Sequence, residues 1–147
     1  MRGEAHIYGA LAVFSVYSLH QGSIDLIVGA FSIVGGLLPD IDANFCLLER
    51  LIISKPIKFT FAAIDDLIGK NVYTKHRGVL MHSAWTVLVF LLASIVTSGH
   101  MHKITLGALI GIVSHHALDA PTKAGLKLYF YPFKREDVNL CNTKKLK

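Results

Sequence analysis

Four apolar stretches, at roughly 5–19, 24–38, 79–97 and 104–118, constrain this chain more than any other feature. Only the third approaches the ~20 residues of a fully lipid-exposed helical span. The others reach that length if their polar flanks sit at an interface or face the inside of a bundle. Composition agrees: 52% of residues are hydrophobic and 17% charged, against a usual charged share of about 25%. The expectation is an all-α integral membrane bundle of about four helical spans in one domain. Residues 7–19 could pass for the apolar core of a signal peptide, but no small-residue cleavage site follows, so a retained first span is expected.

The charges orient this bundle. Of the 15 basic residues, all but Lys103 lie before the first stretch, between the second and third, or after the fourth. An excess of Lys and Arg marks the cytoplasmic side, which predicts cytoplasmic termini and a multi-pass place in a bacterial inner membrane. A net charge of +5 could also suit nucleic acid, but that needs a basic stripe on a folded surface. The basic residues here fall between apolar runs, so no nucleic acid partner is expected. Cys46 and Cys141 lack metal-type spacing and read as free thiols.

Between the second and third stretches, Ile57, Phe61, Ile64 and Ile68 recur every three or four residues. That period predicts an amphipathic helix, at an interface or against the end of the bundle. Gly107 and Gly111 form a small-residue pattern suited to close helix packing within the monomer. A membrane-embedded domain over 1–133 and a polar cytoplasmic tail over 134–147 complete the expected organisation.

Polar residues gather at one end of these stretches. His6 opens the first; Asp40 and Asp42 close the second; His76, Arg77 and His82 stand where the third begins; His115, His116 and Asp119 end the fourth. In an up-and-down bundle these four groups share one face. His115 and Asp119 are four apart on a single helix face, an imidazole and carboxylate pair that a metal accepts from a rigid scaffold. Polar groups so deep in apolar helices are costly and tend to be functional. Asp40 and Asp42 follow Pro39 closely enough to converge, or for one to ligate while the other orients a histidine. Two carboxylates with two or three histidines suffice for a two-metal site. His116 points about 100° away from His115, given the helical repeat, and is not expected in the same site. His20, His100 and His102 lie at the other end and read as interfacial residues.

The same residues carry a resemblance. An early His6, Gly35-x-x-x-Pro39-Asp40-x-Asp42, His76-Arg77-Gly78 with His82-Ser83, and Ser114-His115-x-x-x-Asp119-x-x-Thr122-x-x-Gly125, then Tyr131-Pro132-Phe133, follow one another in order. This succession resembles the YdjM family of bacterial inner-membrane proteins, described as membrane-bound metal-dependent hydrolases. Met81 and His116 stand where that family more often has threonine and an aliphatic residue. The family is distantly similar to zinc-dependent phospholipase C and P1-type nucleases, which implies a phosphoester substrate, here a membrane lipid. The resemblance and the constellation together give His6, Asp40, His82, His115 and Asp119 as metal ligands. Asp42, Arg77 and His76 are the catalytic candidates, with Arg77 as a phosphate clamp. One to three divalent ions are expected, zinc first, with manganese or iron as alternatives. The competing reading is a non-enzymatic integral membrane protein with a structural or transport metal site.

Overall fold

The structure, a computed structural model, describes residues 3–42, 81–122, 125–126, 129–130 and 138. Among them are four α-helices: α1 (Gly3–Gln21), α2 (Leu26–Leu37), α3 (Ala84–Val96) and α4 (Gly99–Asp119), with a 3-10 turn at Leu38–Asp42 after α2. The chain reverses between α1 and α2 at Gly22, whose φ of 67° suits glycine, and between α3 and α4 at Gly99, with φ 59°. Asp25 caps α2, its Oδ1 accepting from the backbone N–H groups of Ile27 (3.0 Å) and Val28 (3.3 Å). Its carboxylate also pairs with Lys103 Nζ at 2.7 Å, and that contact holds the carboxyl below its ordinary range.

The all-α class stands, but the expected membrane spans do not. Among the described residues no helix is long and apolar enough to cross a membrane. The reason is where the helices stop. Of the second apolar stretch only Leu26–Leu37 is regular α-helix, because the chain tightens before Pro39. The third begins its helix only at Ala84, after a turn through Met81, His82 and Ser83. Helices of 12 and 13 residues rise about 18–20 Å, well short of a hydrocarbon core of about 30 Å. The longer α1 and α4 carry Glu4, His6, Lys103, His115, His116 and Asp119 within them. The integral membrane bundle, its cytoplasmic termini, the inner-membrane location and the membrane-bound form of the function are corrected accordingly. The amphipathic helix expected around Ile57–Ile68 lies outside the described residues.

Helix α4 is central, packing on α1, α2 and α3, and most extensively on α2. Glycine makes that contact possible. A methyl group on Gly107 would stand 2.5 Å from the Val28 carbonyl oxygen, and one on Gly111 would stand 2.7 Å from the Gly35 carbonyl carbon. The helices therefore meet backbone to backbone, as the spacing of Gly107 and Gly111 predicts. Among the described residues the interior is small and polar. Val28 and Ile112 are fully enclosed beside His6, Ser32, His82, Ser83, His115 and Asp119, whereas Val16, Leu19, Val89 and Val96 are exposed on the outer faces.

Candidate metal centre

The up-and-down course of the helices brings the start of α1, the end of α2, the turn before α3 and the end of α4 to one place. His6, Asp40, His82, His115 and Asp119 meet there. Asp40 keeps 14% of its side-chain surface exposed and the other four keep none. His6 Nε2 lies 3.7 Å from Asp40 Oδ2 and 3.8 Å from Asp119 Oδ1. His82 Nε2 lies 3.8 Å from Asp40 Oδ1 and 3.9 Å from Asp119 Oδ2. His115 Nε2 lies 3.8 Å from Asp40 Oδ1 and 3.5 Å from Asp119 Oδ2. Every histidine thus reaches both aspartates. The separations exceed a direct N–H···O hydrogen bond. They resemble instead the edges of a coordination shell: donors about 2.0–2.1 Å from zinc stand about 3.3–3.4 Å apart at the tetrahedral angle and up to about 4.2 Å apart at wider ones.

Orientation of the rings supports the same use. His115 Nδ1 is 2.7 Å from the Gly36 carbonyl oxygen. A carbonyl only accepts, so Nδ1 carries the proton and Nε2 presents its lone pair to the centre, where it is buried without a hydrogen bond. A backbone carbonyl on the far nitrogen is the usual means of fixing a ligating histidine. The His6 ring stacks on that of His115 with centroids 3.7 Å apart, which sets the direction of the second imidazole.

Electrostatics favour a cation at this end. Asp119 is the last residue of α4, and Asp40 lies in the turn that follows α2. Helix C-termini carry partial negative charge, so carboxylates there are unfavourable unless positive charge accompanies them. Two groups of donor atoms, His6 with Asp40 and His115, and His82 with His115 and Asp119, lie mutually close enough to hold a metal ion. These clusters suit a divalent metal-dependent site in general.

His116, expected outside the site, supports it. Its Nε2 donates to the Met81 carbonyl at 3.1 Å, holding the turn that presents His82. Burial pushes its pKa down to about 4, which keeps the ring neutral. Tyr129 packs edge-on against it at 5.5 Å, burial raising the phenol's pKa, and the Tyr129 carbonyl accepts from Ala84 N–H at 3.0 Å at the start of α3. The roles of His116 and the Gly36 carbonyl escaped the sequence reading, because a backbone acceptor leaves no mark in side-chain pattern. At the opposite end His102, expected as an interfacial residue, bonds through Nδ1 to the Ser94 carbonyl at 2.6 Å. Of the catalytic candidates, Asp42 ends the turn after α2, with its side chain outside the described set. His76 and Arg77 also lie outside the described residues.

Comparison with known proteins places these residues in a family. YvsG of Bacillus subtilis (strain 168), an uncharacterized protein, is 31% identical over 132 residues, which is 88% of this chain and 73% of that protein. No solved structure matches the chain. The family name places its members in the inner membrane, whereas the helices described above are too short or too polar to cross one. The family model for the YdjM inner membrane protein covers residues 1–146, and the chain belongs to that family.

Proposed function

We propose that this protein is a metal-dependent hydrolase acting on phosphoesters, with zinc as the preferred ion. The observation that carries the reading is the ring of three imidazole nitrogens between two carboxylates at 3.5–3.9 Å. His6, Asp40, His82, His115 and Asp119 would hold the ion. Bound there, a divalent cation supplies Lewis acidity, making water more acidic and offsetting charge that develops on a phosphoryl oxygen. Zinc follows from mixed nitrogen and oxygen donors in a compact set, with manganese or iron as alternatives.

The chain's own groups do the rest. Gly36 holds the His115 tautomer, and His116 holds the Met81 peptide that carries His82. The buried walls exclude bulk water, which strengthens each charge interaction inside. Asp40, at the solvent-facing edge, marks where substrate and water enter. Arg77 is assigned to clamp the phosphate through its planar fork. Asp42 is assigned to accept a proton, and His76 to assist it. A lipid phosphate is the proposed substrate class.

A structural ion in a non-enzymatic protein is the competing reading, favoured by the complete burial of four of the five donors. The test is hydrolysis of p-nitrophenyl phosphate, bis-p-nitrophenyl phosphate and a short-chain phosphatidic acid by zinc-loaded protein. Turnover that disappears in Asp119→Asn and on chelation supports the hydrolase. Full zinc binding with no turnover of any of the three supports the structural ion. Turnover confined to the lipid would establish the lipid phosphate class.

A further inference from the structure

The serines of the helices sort into two kinds. Four of the five that lie within the described helices turn the hydroxyl back onto their own helix. Ser15 donates to the Leu11 carbonyl at 2.8 Å, Ser32 to Val28 at 2.7 Å, and Ser94 to Leu91 and Ser114 to Gly111 at 2.8 Å each. Such back-bonding is an ordinary way of satisfying a helical hydroxyl. Ser18 does not take it. It is 8% exposed, and its Oγ is buried with no hydrogen-bond partner among the described residues. A buried hydroxyl in that state is unfavourable unless something supplies the missing bond.

There is room beside Ser18 for a molecule that would supply it. Ser18 lines a cavity of about 630 Å³ where α1 turns into α2. It lies twelve residues beyond His6 on α1, about 18 Å along the helix, at the end of the bundle away from the metal centre. Leu19 and Ile24 line the same cavity, and at 82% and 75% exposed they form its rim, with Ser18 at the back. Phe14 makes a further wall. A methyl group on Gly29 would stand 2.8 Å from its ring, so α2 holds that ring closely. Apolar walls, a few placed polar groups and a volume between about 300 and 1,000 Å³ are the features of small-molecule sites.

Charge decides the class of ligand. Among the described residues no charged side chain lines the cavity. Asp25, which follows Ile24 in sequence, is taken up by the α2 cap and by Lys103. An ion at the back of the cavity would lose hydration with no opposite charge to replace it. A purely apolar molecule would leave Ser18 unsatisfied. We propose that the cavity at the α1–α2 turn binds an uncharged molecule with an apolar body and one terminal hydroxyl, which pairs with Ser18 Oγ. This site stands apart from the metal-dependent reading and does not rest on it.

The experiment is calorimetric titration of the full chain with 1-octanol, and with octanoate as its charged counterpart. Wild type should bind one octanol per chain, and octanoate about tenfold more weakly for want of a counter-charge. Ser18→Ala should weaken octanol about two- to tenfold, the worth of one hydrogen bond. Ser15 is an exposed residue of the lining, so Ser15→Trp should fill the cavity from its edge and abolish binding while the bundle stays folded. Zinc affinity should be the same in all three proteins, which shows the variants folded and keeps this result separate from the metal centre. No octanol bound by wild type overturns the site. Unchanged binding in Ser15→Trp also overturns it, because octanol is then coating exposed apolar faces. Binding lost in Ser15→Trp but unchanged in Ser18→Ala overturns the pairing with Ser18. Octanoate binding as tightly as octanol overturns the uncharged class.

Discussion

Gly111→Ala tests how the centre is held, because the substitution touches no proposed ligand. The added methyl group would lie 2.7 Å from the Gly35 carbonyl carbon and closer still to the Ser32 oxygen and the Gly36 nitrogen. All three are backbone atoms of α2 and cannot rotate away. Carbon contacts settle at about 3.5–4.0 Å, so α2 and α4 must part by about 1 Å. One turn further along the same face of α4, His115 donates to Gly36 at 2.7 Å. The same displacement would stretch that bond to about 3.7 Å, beyond useful hydrogen bonding. Overpacking of this kind costs about 1–3 kcal/mol, offset by about 1 kcal/mol from replacing a helical glycine. Loss of the carbonyl that orients a ligating histidine weakens metal affinity about 10–100-fold. Chelator competition measures the affinity and thermal melting the stability. Gly22→Ala is the control: it strains a positive φ at the far end and meets nothing within 4 Å, so it should lower the melting temperature without weakening metal. Wild-type metal affinity in folded Gly111→Ala would refute the reasoning that backbone contact sets the ligand geometry.

Three further outcomes follow. Removing metal should lower the melting temperature of wild type and leave that of Asp119→Asn nearly unchanged, as scanning calorimetry with and without chelator would register. His116 is ordinarily near 6.5 and is held at about 4 in the fold. The unfolded chain therefore binds the proton first, and His116 withdraws stability as pH falls from about 6.5 to about 4, by roughly 3 kcal/mol in all. Chemical denaturation across that range should show a shallower decline in His116→Gln than in wild type, and parallel curves would sink the assignment. Asp25→Ala should cost about 1 kcal/mol through loss of the α2 cap. Asp25→Asn should cost less, since a cap oxygen remains and a solvent-exposed ion pair with Lys103 is worth little.

The meeting of five side chains was legible because polar residues recur at alternate ends of successive apolar stretches, and helices that run up and down must bring those ends together. Helix length was not legible. An apolar run counts Leu38, Met81 and Leu80 alike, although Pro39 ends regular helix nearby and the turn through His82 and Ser83 delays the start of α3. The close α2–α4 approach could be read from Gly107 and Gly111, whose missing side chains are themselves a sequence signal. His116 could not be read in the same way: its partner is the Met81 carbonyl, a group every residue possesses. Direction of a side chain around one helix says nothing about which loop will arrive opposite it.

The centre also acts as a knot in the covalent chain. Its members come from four separated positions, His6, Asp40, His82 and the His115–Asp119 turn, so an ion held by all of them closes three successive loops of roughly 30 to 40 residues each. Such closure acts as a set of reversible cross-links, withdrawing freedom from the unfolded chain much as disulfides do. A bundle with few enclosed large apolar side chains among its described residues would gain from this constraint, and the availability of metal would then decide how much of the chain population is folded.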